Sequence, residues 1–215
     1  RASIYQPKHR AEPKATQPPD QGMESNARLT GATAVVLLIL FAVEGATLFG
    51  VRAHLDLHVF VGMLLIPPVL LKIGSTTWRF ARYYTGSPPY RRKGPPQVIL
   101  RMLGPLLVLL TAILLASGVA LILTPHGLGD RLPLIHKASF ILWFAAMTVH
   151  VLGHIVETAK LAPLDLGRRT RSQVAGASAR QWSLLTALAT GSLLGVVMLG
   201  PTATYLHQQT GFIHP

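Results

Sequence analysis

Residues 98–123 read VILRMLGPLLVLLTAILLASGVALIL, and after Arg101 no charged residue interrupts the run. At a rise of about 1.5 Å per residue, a helix of this length crosses the roughly 30 Å hydrocarbon layer of a bilayer. A soluble core has no need of so long an apolar run. The stretch therefore reads as a transmembrane helix and places the chain in the membrane class.

Four further segments carry the same signal: Leu29 to Gly50, Leu55 to Ile73, Leu132 to Val156, and Trp182 to Leu199. The last is short but nearly free of polar groups, and Pro201 is expected to stop it. Pro67-Pro68 predicts a kink in the second segment, which buried membrane helices tolerate. Composition agrees. Half of the 215 residues are hydrophobic and 13% are charged, against about 25% in a soluble domain. The expected fold class is all-α, an integral membrane bundle of four helices plus a fifth transmembrane helix.

The formal charge of +12 raises nucleic acid as a partner. Its distribution argues against that, because the cations lie between the apolar runs, where orientation signals and anionic lipid headgroups require them. Seventeen of the twenty Lys and Arg fall in the N-terminal tail, the loop after the second segment and the loop after the fourth; only Arg52, Arg131 and Lys137 fall on the other side. The positive-inside rule then puts the N-terminus in the cytoplasm and the C-terminus outside. Trp78, Tyr83, Tyr84 and Tyr90 suit an interfacial belt on the cytoplasmic face. The chain contains no Cys, which excludes disulfides, Cys-held iron–sulfur clusters and C-x-x-C-H haem attachment.

The expected organisation is a polar cytoplasmic tail over 1–28, a four-helix core over 29–158, a basic cytoplasmic loop over 159–181, the fifth helix over 182–200, and an extracytoplasmic tail over 201–215. The first of these is Pro-rich and charged without an apolar h-region, so it does not read as a signal peptide. A segment of this composition orders against a partner subunit rather than alone.

Nine histidines are present, and five of them, His54, His58, His136, His150 and His154, lie in or at the ends of the second and fourth segments. Ionisable groups in membrane helices are costly and by default mark function. At about 100° per residue, His136 and His154 point the same way, and His150 lies about 40° off that line. Phe140, Trp143 and Met147 fall on the same stripe. On the second segment, His54 and His58 are one turn apart, with Gly62 a turn further in, where a flat macrocycle can approach the backbone. His58 and His136 both lie about one turn below the outer end. Two neutral imidazoles at equal depth on facing helices can ligate one iron from opposite sides. His150 is about 21 Å deeper than His136, near the cytoplasmic face.

Three alternatives stand beside a haem. The histidines can act as polar glue between helices. The i, i+4 pairs His54/His58 and His150/His154 suit a metal ion in a polytopic transporter. The chain can also be a haem-free membrane anchor. Among other residues, Glu44 is a carboxylate inside the first segment. It either hydrogen-bonds a ligating histidine or relays protons, or it snorkels outward or pairs with Arg52. Arg131 and Lys137 flank the outer mouth, where haem propionates need cations. Gly104, Ala116 and Gly118 read as helix-packing residues.

With these residues in place, the chain resembles the transmembrane b-type cytochrome subunits of formate dehydrogenases and nickel–iron hydrogenases. That family has a four-helix haem core with a cytoplasmic N-terminus. Its fourth helix carries two haem-ligating histidines separated by thirteen residues, as are His136 and His150 here. Its second helix carries a ligand near the outer face, matched by His58 or His54. The likeness covers about residues 29–158. It implies one b haem, with a second open near His150 or His154, and quinone binding in the inner region. It also implies an electron-transfer subunit without catalysis of its own, in the cytoplasmic membrane of a bacterium. The partners implied are the other subunits of a membrane oxidoreductase, among them an extracytoplasmic redox protein. The departure lies at residues 26–35, where the family's inner-haem ligand on the first helix has no histidine counterpart. Lys72 lies on the His54 stripe at the inner end of the second segment but is a poor substitute ligand.

Overall fold

The computed structural model describes the backbone of residues 20–93, 98–124, 131–166 and 175–211, and within these it leaves out the side chains of 89, 92–93, 98–100, 154–166 and 209–211. Among the described residues the structure is helices joined by short turns, with no strand. The helices are α1 (Gln21–Thr47), α2 (Leu55–Tyr84), α3 (Pro88–Lys93), α4 (Val98–Leu123), α5 (Leu132–Leu166) and α6 (Ala177–Gly211). A 3-10 turn over Leu48–Gly50 ends α1. Five of them, all but the short α3, are long and apolar enough to cross a membrane.

Several expected boundaries move outward. The helix α1 starts at Gln21 rather than Leu29, because the Asp20 side chain accepts a hydrogen bond from the Met23 amide at 3.0 Å and Glu24 sits in the first turn. An aspartate N-cap and an acidic first turn both stabilise a helix start. Residues 1–19 of the expected tail, including His9, lie outside the described residues, as do His126 and His214. The helix α2 runs through Pro67 and Pro68 and on to Tyr84, and α5 continues beyond residue 158 to Leu166.

The largest correction concerns Pro201. It does not stop the fifth helix, which continues to Gly211, so most of the expected C-terminal tail is helical. Proline removes one amide donor and crowds the preceding turn. In the apolar layer, Ser and Thr side chains offset such a loss. Beside the proline the fully buried Thr202 donates its hydroxyl to the Met198 carbonyl at 2.7 Å, one residue along from the Val197 carbonyl that loses its amide donor.

The helices pack in the order α6–α2–α1–α5–α4, and lighter contacts of α4 with α2 and α6 close the row into a bundle. Leu37 on α1 joins Val61, Leu65 and Val69 on α2 in one core cluster. Leu107 and Leu110 on α4 join Trp143 on α5 in another. At most 33% of any helix's apolar window is buried inside the bundle. Leu70, Ile141, Leu142, Leu152 and Leu193 all project outward. So much exposed apolar surface is unsuited to water and suited to lipid.

The α2–α6 contact depends on two glycines. A Cβ on Gly191 would lie 2.5 Å from the Leu64 carbonyl oxygen and 2.9 Å from Leu64 Cα. A Cβ on Gly195 would lie 2.6 Å from the Phe60 ring. This is small-xxx-small packing, which brings membrane helices to backbone contact. Of the three residues expected to pack helices, only Gly118 has a close neighbour. Gly104 has open space around it and Ala116 is exposed, so neither is a packing residue.

One end of the bundle is basic. There Lys72 Nζ donates to the Thr30 carbonyl at 2.8 Å, and Arg180 Nη1 donates to Ser25 Oγ at 3.0 Å. Asn26 Nδ2 donates to the Ser75 carbonyl at 3.1 Å. These bonds tie the start of α1 to α2 and α6. Beyond them Arg82 stacks over Trp78, and Arg101 hydrogen-bonds the Tyr84 hydroxyl. Tyr90, expected in the same belt, is buried instead.

Candidate functional site

The site lies at the opposite end, where α1 stands between α2 and α5. Among the described residues, α2 and α5 make no extended contact with each other. Across that gap the rings of His58 and His136 approach to 6.5 Å between centroids, with their planes nearly perpendicular at 85°. His58 lies in the first turns of α2 and His136 in the first turns of α5. Each ring is half-buried.

Each imidazole is held by one nitrogen, and the donor of each bond can be worked out. Around His58, the Thr47 hydroxyl gives its only proton to the Glu44 carbonyl at 2.6 Å. Thr47 Oγ1 can then only accept, and it lies 2.9 Å from His58 Nδ1. Glu44 Oε1 lies 3.0 Å from the same nitrogen. With Glu44 ionised, Nδ1 carries the proton and shares it between two oxygens of α1. Around His136 the logic repeats. The Ser117 hydroxyl donates to the Leu114 carbonyl at 3.0 Å. His136 Nδ1 lies 3.1 Å from Ser117 Oγ and 3.2 Å from the Leu114 carbonyl oxygen, which can only accept. Both histidines are then Nδ1–H tautomers. Among the described residues neither Nε2 has a hydrogen-bond partner, so each keeps a lone pair to offer.

Gly118 serves this arrangement. A Cβ there would come 3.1 Å from His136 Cε1, so the missing side chain is what admits the ring against α4. Gly62 faces Glu44 on α1, with a built Cβ 3.5 Å from Glu44 Oε1. It was expected to make room for a macrocycle; its nearest neighbour is the carboxylate. Glu44 pairs with His58 and not with Arg52, and its other oxygen, Oε2, is buried without a hydrogen-bond partner among the described residues.

The remaining histidines separate from this pair. His54 occupies the N-cap position of α2, exposed and close to Gly50. His150 lies half-buried further along α5. The side chain of His154 lies outside the described residues. Among the described residues no group of three or more His, Cys, Asp or Glu gathers as a metal site would require. The stripe between His136 and His150 faces the bundle. Trp143 is buried, donates from Nε1 to Thr111 Oγ1 at 2.9 Å, and packs with its ring tilted against Phe41, centroids 4.8 Å apart. Arg131 and Lys137 are exposed at the start of α5.

Thr47, Ser117 and the Leu114 carbonyl were not singled out from sequence. A signal for Thr47 was present, since it lies three residues after Glu44 and so shares its helix face. Ser117 sits beside Gly118, but a small pair in an apolar helix does not by itself point to a histidine. Compared with known proteins, the chain matches no family model, no curated protein sequence and no solved structure.

Proposed function

We propose that this chain is a membrane b-type cytochrome subunit that passes electrons between an extracytoplasmic redox partner and the quinone pool. The observation that carries the reading is the His58–His136 pair. Two imidazoles on opposite sides of one metal, each bonded at about 2 Å, have ring centres about 6 Å apart. The 6.5 Å separation fits that geometry. Both protons are directed into the protein, which leaves both Nε2 lone pairs as donors. Metal-ligating histidines ordinarily donate the other ring N–H to a carboxylate, carbonyl or hydroxyl in this way. His58 and His136 would hold the iron, and haem b would supply a one-electron couple within the bilayer. The protein's own part is to supply ligands, fix their tautomers and exclude water.

The metal-transporter reading gains little from the geometry. Its first pair would be His54 with His58, yet His54 is exposed at the helix cap while His58 turns toward α1. The likeness to the cytochrome subunits of formate dehydrogenases and hydrogenases rests on His58, His136 and His150 and on the four-helix core. It extends the proposal to an inner site at His150 and His154, for a second haem or for quinone.

Reduced-minus-oxidised absorption of the purified protein tests the main reading. A Soret band and a sharp α-band on reduction are expected, and a colourless protein sinks the proposal. Haem-to-protein stoichiometry then decides the inner site. A ratio near two requires a second ligand pair that includes His150 or His154. A ratio near one leaves those residues as quinone-site groups, and replacing both should slow quinone-coupled electron transfer while sparing the spectrum. If neither rate nor spectrum changes, the inner site does not exist.

The positive-inside rule makes the basic end of the bundle cytoplasmic and the His58–His136 end extracytoplasmic. With no native Cys, single-cysteine labelling is clean. A cysteine introduced at position 208 should react with an impermeant maleimide from outside. Labelling from the cytoplasmic side alone would reverse the orientation.

A further inference from the structure

The two imidazoles differ in what receives their protons. His136 donates to a neutral carbonyl and a neutral hydroxyl, both on α4. His58 donates to a hydroxyl and to the Glu44 carboxyl group. The carboxyl group is embedded in the apolar stretch of α1, next to Gly62 on α2, with Oε2 buried and, among the described residues, without a hydrogen-bond partner. No Lys or Arg among the described residues pairs with it; its partner is His58. Without a countercharge a carboxyl group in such a place keeps its proton, because desolvation of an unpaired charge is costly; a cationic group bound at His58 would supply that countercharge.

We propose that Glu44 is a positioning and tuning residue for the iron ligand His58. It holds the imidazole in the Nδ1–H form and stabilises the oxidised, positively charged state of the bound group. The proposal rests on the haem reading above. Glu44 lies on the far side of the imidazole from Nε2, so its charge acts through the ring. A carboxylate that accepts from Nδ1–H pushes electron density toward Nε2 and makes it a stronger donor. An oxidised bis-imidazole haem carries one net positive charge at the iron; the reduced form carries none. Glu44 therefore favours the ferric state and lowers the midpoint potential. Thr47 completes the geometry. Its hydroxyl, fixed by the Glu44 carbonyl, fills the second acceptor position, so the ring cannot rotate without losing both bonds.

The test compares Glu44→Gln and Glu44→Leu with the unmodified protein, all purified in detergent with haem bound. Absence of haem from the unmodified protein would refute the haem reading itself, separately from the role of Glu44. Glu44→Gln keeps an acceptor oxygen and removes the charge. It should retain full haem content and shift the ferric-to-ferrous ratio at fixed ambient potential about tenfold toward ferrous, an upward shift of about 59 mV for a one-electron couple. Glu44→Leu removes the acceptor as well, and haem content should fall. An unchanged potential in the glutamine variant overturns the tuning role. Full haem at an unchanged potential in the leucine variant overturns the positioning role. If either variant fails to accumulate, redox-difference infrared spectra of the unmodified protein labelled with 13C-glutamate decide. A labelled carboxylate band must move on haem reduction, and a silent carboxylate region overturns the proposal.

Discussion

Replacing either His58 or His136 by alanine should remove one low-spin haem signal from the purified protein. Changing a group that merely orients a metal ligand costs about 10- to 100-fold in affinity, and deleting the ligand itself costs more. Each ring is fixed by its own acceptors on a different helix, Thr47 and Glu44 on α1 for His58, Ser117 and Leu114 on α4 for His136. Among the described residues no neighbouring histidine is placed to take over. His54, one turn from His58, is exposed at the helix cap, and His150 lies far along α5. The measurement is haem per protein after purification, with helical content checked by circular dichroism. If both variants keep the full spectrum, these residues are not the axial pair, and the chemistry proposed for this end of the bundle fails with them.

The second large effect is structural. Gly191→Ala should destabilise the bundle by about 1–3 kcal/mol, the usual cost of overpacking a well-fitted contact. The new methyl group would meet the Leu64 backbone at 2.5 Å, and a backbone cannot swing away as a side chain can. Gly195→Ala should cost less, because its nearest neighbour is the ring of Phe60, which can turn, although the Phe60 carbonyl lies at 3.0 Å. Gly74→Ala is the control. Nothing lies within 4 Å of a Cβ there, and alanine is favoured over glycine in a helix by up to about 1 kcal/mol. Unfolding in mixed micelles, followed by circular dichroism, ranks the three. If Gly191→Ala is as stable as Gly74→Ala, α6 does not pack on α2 in the way described.

Much of this was legible in the sequence. The five apolar runs correspond to the five membrane-length helices, because hydropathy is a direct readout of what lipid tolerates. The approach of His58 and His136 was expected from equal depth on two helices taken to face each other, and the two rings do meet, across a gap with α1 between the helices. Other features were hidden for physical reasons. The helix ends were misplaced wherever polar residues continue a helix beyond the apolar layer, as at Gln21–Arg28 and Gly74–Tyr84, since hydropathy marks the lipid boundary and not the end of hydrogen bonding. Pro201 was read with a rule taken from helices in water, yet Thr202 is buried and hydrogen-bonds the turn beside it. The partner of Glu44 depended on its rotation about α1 relative to α2, which a single helix cannot specify. The Gly191–Gly195 spacing was visible but shows its meaning only once Leu64 and Phe60 are known to lie opposite.

The place of α6 against α2 bears on how the chain is made. Synthesis proceeds from the N-terminus, so α1, α2, α4 and α5 enter the membrane before residues 177–211 exist. Every residue of the His58–His136 site, from Glu44 to His136, is present by then. The face of α2 around Phe60 and Leu64 meanwhile lies against lipid, waiting for a helix more than a hundred residues downstream. The ligand pair can thus form first, and the last helix then closes over the back of an already assembled site.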